Sequence, residues 1–251
     1  MRQVLVTGGA KRIGKSIAER LAADGWHVAI HYNGSADTAE TLVRQICDRG
    51  QRAIAVGADL TDEAAVLRMM DEVRTGLGGL TAVVNNASVF QRDDLETEGR
   101  EIWDLHMAVH VRAPYLLSQK LLQQLEDGHT GAVVNIIDQR VLNPSRHFLS
   151  YTLSKMALWD QTQVLARAMA PRVRVNAIGP GPVLPSIRQS DDDFDRQALQ
   201  TPLAHAVDPA EIADAAAFLL DAPSVSGQII AVDSGQHMNW AFETPETAPK
   251  E

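Results

Sequence analysis

Val4-Leu5-Val6-Thr7-Gly8-Gly9-Ala10-Lys11-Arg12-Ile13-Gly14-Lys15-Ser16 runs from an apolar β-branched segment, through a glycine turn, into a helical pattern. Two phosphate motifs overlap in it. In the first, Gly9, four residues, then Gly14-Lys15-Ser16 form a P-loop, with backbone N–H groups around the phosphates, Lys15 at the terminal phosphate and Ser16 on magnesium. A strand ending at Asp138 would supply a second magnesium ligand in that reading. In the second, Gly8 and Gly14 let the backbone approach a pyrophosphate at the helix N-terminus, and Lys15 and Ser16 are ordinary helix residues. The stretch alone allows both.

Outward from this turn, short β-branched runs alternate with longer helical patterns. The strand candidates are 3–7, 27–31, 53–57, 82–85, 132–137, 173–178 and 229–232. Apolar residues recur at three and four over 13–24, 36–48, 63–76, 99–126, 151–170 and 210–220, which predicts helices between the strands. Val133-Val134 and Ile136-Ile137 are apolar on both strand faces, so helices should cover both sides of a parallel sheet. The expected fold is α/β and doubly wound, with seven parallel strands. No repeat or linker divides residues 1–240, so one domain is expected. Residues 180–203, rich in proline and in acids at Asp191-Asp192-Asp193, read as an irregular insertion of the kind that lids active sites. The stretch 241–251 has two prolines and little to bury, and reads as a mobile tail.

The chain has 251 residues, 45% of them hydrophobic, and carries 23 Lys plus Arg against 32 Asp plus Glu, a net charge of −9. That balance argues against a nucleic-acid surface, so any phosphate site must be local. Cys47 is the single cysteine, which rules out an intrachain disulfide and a four-thiolate metal site. No secretory leader precedes Val4, and no apolar run approaches the ~18 residues of a membrane span. A cytoplasmic protein with no membrane partner and no bound metal is expected.

Three features decide between the two readings of the turn. Strand 4 ends in Asn85-Asn86-Ala87, Tyr151-Thr152-Leu153-Ser154-Lys155 opens a helix, and Pro180-Gly181 follows strand 6. Tyr151 and Lys155 are four apart and project from one helix face. An ammonium near a phenol favours the phenolate, which makes the tyrosine a usable general acid. In a P-loop enzyme these residues would be coincidence. Together with Asp59-Leu60 and Gly227-Gln228…Val232-Asp233-Ser234-Gly235, the pattern resembles the short-chain dehydrogenase/reductase family from Val4 to about Trp240.

That resemblance implies a Rossmann-type domain, a nicotinamide cofactor and hydride transfer to a small-molecule substrate. Tyr151 would be the proton donor and Lys155 would hold the nicotinamide ribose. Gly8, Ile13 and Gly14 would form the pyrophosphate turn, and Asp59 and Leu60 would meet the adenine. Asn85 and Ala87 would lie alongside the cofactor, and Pro180 and Gly181 would border the nicotinamide. The long helices before and after strand 5 imply a homo-oligomer, a tetramer or dimer.

An NAD-selective fold places an acid after strand 2, about 20 residues past the turn. Here that place reads His31-Tyr32-Asn33-Gly34-Ser35, with no carboxylate to repel a 2′-phosphate. Lys11 and Arg12 offer charge, and Asn33 and Ser35 offer hydrogen bonds. NADPH is therefore expected over NADH, an expectation that fails if catalytic efficiency with NADH is equal or greater.

Departures from the family pattern narrow the substrate. Arg12 stands where the family usually has its middle glycine. Asp138, thirteen residues ahead of Tyr151, occupies the usual catalytic serine position, and an ionised carboxylate cannot donate as a hydroxyl does. His110 stands where the family generally has an asparagine. Arg12, Ser88, Phe90, Asp138, Tyr151 and Lys155 together resemble the pteridine reductases of this family, nearest the bacterial branch that reduces dihydromonapterin and dihydrofolate.

The physics of that match is coherent. A flat heteroaromatic ring can stack between Phe90 and the nicotinamide. Arg12 can address its oxo edge or a cofactor phosphate, and Ser88 completes the pocket. Asp138 can accept from ring N–H groups or share a proton with Tyr151, so that the pair titrates as one unit. The expected activity is NADPH-dependent reduction of a dihydropterin to its tetrahydro form. A ketone, quinone or 3-oxoacyl reductase of the same fold is the alternative; a P-loop phosphotransferase and a non-catalytic NADP-binding regulator are the readings from other classes.

Overall fold

In a computed structural model, residues 2–97, 99–186 and 188–238 are described. Seven parallel strands form one sheet: β1 (Gln3–Val6), β2 (His27–Tyr32), β3 (Ala53–Gly57), β4 (Ala82–Asn85), β5 (Gly131–Ile136), β6 (Val173–Pro180) and β7 (Ile229–Val232). Their order is β3-β2-β1-β4-β5-β6-β7. The chain steps outward from β1 to β3, then crosses back to lay β4 on the other side of β1. The C-terminal ends of β1 and β4 therefore lead to loops that part in opposite directions, the place where open α/β sheets bind ligands.

Alternation along each strand assigns the two faces. Val4 and Val6 join a core with Ile17 and Leu21 of α1 (Arg12–Ala23), Leu42 and Ile46 of α2 (Ala36–Asp48), and Ile212 and Leu219 of α8 (Pro209–Asp221). Leu5, between them, points to the opposite core. That core holds Met69, Met70 and Val73 of α3 (Glu63–Leu77), Leu117 and Leu121 of α5 (Ala113–Gln124) and Leu165 of α6 (Leu149–Ala168). The three β1 side chains Val4, Leu5 and Val6 are fully buried, each such burial being worth roughly 1.5–3 kcal/mol. Caps fix where helices start: Asp62 accepts from Ala64 and Ala65 N–H at α3, and Asp208 with Glu211 closes a capping box at α8.

Two expectations are corrected. The predicted helix over 99–126 is α4 (Glu101–Met107), a π-helical turn (Ala108–Arg112) and α5. Pro114 causes the change of winding, since it has no N–H to give to the preceding turn. The Gln161 amide, oriented to donate to Val111 O at 3.2 Å and accept from Tyr115 N at 3.1 Å, satisfies backbone groups around it. The insertion 180–203 is not wholly irregular. It contains α7 (Asp191–Leu199), whose N-cap Ser190 accepts from Asp193 N, with three acids in the first turn that suit the positive helix end. The stretch 241–251, read as a tail, lies outside the described residues.

Candidate active site

The glycine turn lies at the C-terminal end of β1. Gly8 has φ +60°, and a Cβ there would meet Ala87 Cα at 3.0 Å, so its role is conformational. Its N–H is committed to His31, which accepts at Nδ1 (3.0 Å), while His31 Nε2–H donates to Ala58 O (3.0 Å). Burial lowers the His31 pKa, consistent with this neutral tautomer. Gly14 is needed for closeness: a Cβ there would lie 2.2 Å from Gly8 O and 2.5 Å from Asn86 Nδ2.

Thr7 joins the two halves of the sheet. Its hydroxyl accepts from Asn86 N at 2.9 Å and Ala87 N at 3.0 Å, and donates to Val84 O at 3.3 Å. Lys11, the N-cap of α1, makes no capping bond, so that position gives the first α1 N–H groups no side-chain partner. Lys15 is exposed and takes no part in the cavity wall, as the dinucleotide reading of the turn expects.

The other proposed cofactor residues gather on the same rim. Asn33 and Ser35 follow β2, and Ser35 makes no capping bond to α2. Asp59 and Leu60 follow β3; Asp59 Oδ1 accepts from Thr61 N and Oγ1, which lowers its pKa, and Leu60 puts its side chain in the core. Any Leu60 contact to a cofactor is therefore through backbone. Pro180 ends β6, Gly181 follows it, and both line the cavity. A Cβ on Gly181 would lie 2.6 Å from Asp233 Cα. Asn85 is placed differently from the expectation: its Nδ2 donates to Asn135 Oδ1 at 2.7 Å inside the sheet, and Asn86 lines the cavity instead.

The opposite wall carries Asp138, Tyr151 and Lys155. Asp138 follows β5 and caps a 3-10 turn (Gln139–Val141), Oδ1 accepting from Arg140 N at 2.9 Å. Its Oδ2 accepts from the Tyr151 hydroxyl at 2.8 Å. Both carboxylate oxygens are thus aimed, yet each keeps a lone pair for a further donor. Lys155 donates to Ile136 O at 2.9 Å and lies 5.7 Å from the Tyr151 ring centre. Burial lowers its pKa from 10.5 to about 8, with Asp138 acting in the other direction.

Beside this pair, Phe90 stacks on Phe148 (4.3 Å, 6°) and meets the edge of Tyr151 at 4.7 Å. Phe90 lines the cavity and Phe148 backs it. Phe148 holds the left-handed φ of +57° immediately before α6, a conformation that costs roughly 1–3 kcal/mol in a bulky residue. The guanidinium of Arg140 lies 5.4 Å above the Phe90 ring, and Arg188 donates to Phe90 O at 3.0 Å.

Arg12 also has a left-handed φ, +52°, as its glycine-type position requires, and donates to Leu184 O and Pro185 O, each at 3.1 Å. It reaches across the cleft to the loop after β6, which with α7 supplies Gln189, Phe194 and Gln197 to the cavity. Ser88 lines the cavity and bonds His110 Nε2 at 3.0 Å.

Sequence reasoning missed His31, His106, Arg140, Phe148 and Arg188. Arg140 had a local signal, two residues after Asp138. The others depend on pairings across the fold that no local spacing reveals.

A parallel sheet with a glycine turn at its switch point, facing a buried Tyr–Lys pair, defines a nicotinamide-nucleotide oxidoreductase of Rossmann type. Residues 8–237 match the family described as Enoyl-(Acyl carrier protein) reductase. The chain superposes with a TM-score of 0.93 on FolM alternative dihydrofolate reductase 1 from Brucella canis complexed with NADP, at 46% identity over 98% of this chain and 97% of that one. It is 32% identical to a dihydromonapterin reductase of Enterobacter over 95% of this chain and 98% of that protein. It is also 32% identical to a 3-oxoacyl-[acyl-carrier-protein] reductase FabG of Staphylococcus epidermidis, over 94% and 99% respectively.

The chain belongs to the short-chain dehydrogenase/reductase family and is an NADP-dependent oxidoreductase, similar to its pteridine reductase branch. Among the described residues, no helix is long and apolar enough to cross a membrane and no cluster fits a metal ion.

Proposed function

We propose that the protein is an NADPH-dependent pteridine reductase, reducing a dihydropterin such as dihydromonapterin, dihydrobiopterin or dihydrofolate to its tetrahydro form. The observation that carries this reading is the Tyr151 hydroxyl on Asp138 Oδ2 at 2.8 Å, beside the aromatic wall of Phe90. Residues present fit the cofactor: a glycine turn closed to any Cβ, α1 N–H groups without a side-chain cap, and no acid after β2. Lys11, Asn33 and Ser35 would hold the 2′-phosphate side, and Lys155 the ribose beside the reacting ring; Arg12, whose guanidinium reaches the loop after β6, would instead address the substrate's oxo edge or a cofactor phosphate from the cavity wall. The bound cofactor supplies the hydride.

The chain's own residues handle the proton. Phe90 stacks the substrate ring, and Asp138 accepts from its N–H edge with the lone pairs left by Arg140 and Tyr151. Tyr151 gives its proton to the ring nitrogen next to the carbon that receives the hydride, which balances the reduction of one C=N bond. A proton from solvent, passed through Asp138 Oδ2, replenishes Tyr151. The charge left on the pair is offset by Lys155 and by Arg140, whose Nε is 3.9 Å from Asp138 Oδ1. In this scheme Ser88 contributes to substrate binding through its place on the cavity wall.

The FabG relatives favour a second reading, reduction of a 3-oxoacyl carbonyl. Asp138 weighs against it, because a carbonyl oxygen becoming an alkoxide calls for neutral donors, and a carboxylate repels it. Exposed Trp103, Tyr115, Leu153 and Val164 on α4, α5 and α6 support assembly of the protein as a dimer or tetramer.

The test is NADPH oxidation with the three dihydropterins and one 3-oxoacyl substrate, on native protein and Asp138→Ser. Pterin turnover should fall at least tenfold more than carbonyl turnover in the variant, a loss of about 1.4 kcal/mol of selective stabilisation. Normal pterin reduction by Asp138→Ser, or carbonyl turnover alone in the native protein, would sink the proposal.

A further inference from the structure

His106 and His110 lie four apart on α4 and the π-helical turn, and both are fully buried. Ser150 and Ser154, also four apart, are equally buried on α6. The two imidazoles lie between these serines and the segment after β4 that carries Ser88 and Phe90. The contacts repeat as two rungs. His110 Nε2 accepts from Val89 N at 3.1 Å, and its Nδ1 meets Ser154 Oγ at 2.8 Å. His106 Nε2 accepts from Gln91 N at 3.3 Å, and its Nδ1 meets Ser150 Oγ at 2.7 Å.

A backbone N–H can only donate, so each Nε2 is the acceptor and each ring carries its one proton on Nδ1, given to the serine. Ser154 in turn donates to Tyr151 O at 2.7 Å. A third anchor lies beyond the rungs, where Asp93 accepts from Ser150 N at the start of α6 (3.2 and 3.1 Å).

We propose that His106 and His110 are positioning residues that act only as neutral imidazoles, latching the segment from Ser88 to Asp93 onto α6 and so holding Phe90 and Ser88 at the substrate pocket. With both nitrogens committed, His110 is not a proton shuttle for Tyr151. Protonating either ring converts its Nε2 acceptor into a donor facing the backbone N–H of Val89 or Gln91, and that backbone bond is lost; at His110 the charged ring could then hold only the Ser88 hydroxyl, 3.0 Å away, by turning it into an acceptor.

Burial keeps both rings neutral. It lowers the His110 pKa well below 6.5, with Lys155 and His106 adding to the effect. It lowers the His106 pKa too, Asp93 opposing and Lys155 assisting. The charged groups facing the rungs are thus Lys155, Asp93 and the histidines themselves, with the Tyr151 ring edge 5.5 Å from His110 and 5.8 Å from His106. Because each folded pKa lies below the ordinary value, the latch is fully closed above pH 6.5, weakens as the pH falls below that value and opens as the pH passes the lowered folded values.

This inference rests on the pteridine reductase reading for its substrate, and its test has an arm that does not. Glutamine places an acceptor near Nε2 that does not titrate; asparagine places a donor near Nδ1 and leaves the loop N–H without a partner. Hydrogen exchange of the Val89 and Gln91 amides should speed up at least tenfold in His110→Asn and His106→Asn respectively, and recover in the matching glutamine variants. With a dihydropterin, KM should rise about five- to tenfold in the asparagine variants, the effect of one lost hydrogen bond, with kcat within twofold.

Native KM should climb on acidification below pH 6.5, and the double glutamine variant should give a flat profile. Unchanged amide exchange in the asparagine variants, or a fall in kcat at constant KM, overturns the proposal. If native protein turns over no pterin, the exchange measurements still decide the latch while the substrate reading falls.

Discussion

A lysine with no solvent access should make the cofactor-free protein more stable in alkali. Lys155 is buried and its pKa falls from 10.5 to about 8. Between these values the unfolded chain binds a proton that the folded chain does not, so stability rises with pH across that window. At about 1.4 kcal/mol per pH unit, the full difference is about 3 kcal/mol. Lys155→Met removes the titration and keeps the apolar stem. It also loses the bond to Ile136 O, a contribution that is nearly constant with pH because neutral Lys155 still donates.

The assay is urea unfolding of both proteins without cofactor at pH 7, 8, 9, 10 and 10.5. The native protein should gain on the variant by about 3 kcal/mol from pH 7 to 10.5, or about 6–12 °C in Tm for a chain of this size. A stability difference that stays constant from pH 7 to 10.5 would refute the reasoning, since Lys155 would then titrate alike in both states.

Two further perturbations test the site. Tyr151→Phe keeps the ring packed against Phe90 and loses the proton; steady-state turnover should fall about 10²–10⁴-fold, the range for general acid catalysis, while NADPH fluorescence titration should show binding retained. Gly14→Ala drives a methyl into Gly8 O and Asn86, and should abolish NADPH binding in the same titration, with a stability loss of about 1–3 kcal/mol from overpacking.

The strands were legible because their period is two and both faces are apolar: Val4, Leu5 and Val6 announce a two-sided core without any partner in view. The glycine turn was ambiguous by itself, and Tyr151 with Lys155 resolved it. What local pattern could not show was depth. Asn85 and Asn86 are adjacent and chemically alike, yet pleating sends Asn85 into the sheet and leaves Asn86 on the cavity.

Helix α7 carried its start signals, Ser190 and the three acids after it, but its apolar face is too narrow for periodicity to reveal. The π-helical turn had a trace in Pro114, whose missing N–H fits several outcomes. Phe148 left none, because its left-handed backbone and its stacking on Phe90 are imposed by the junction of α6 with a distant loop.

The Thr7 hydroxyl, described above as a joint between the turn and the strand-4 loop, bears on how a nucleotide is received. It accepts two N–H groups from Asn86 and Ala87 and gives its own proton to Val84. The two lips of the crevice are therefore set during folding by one side chain at the sheet's midline. A dinucleotide entering there meets a mould already cast, so little ordering entropy of these lips opposes its association.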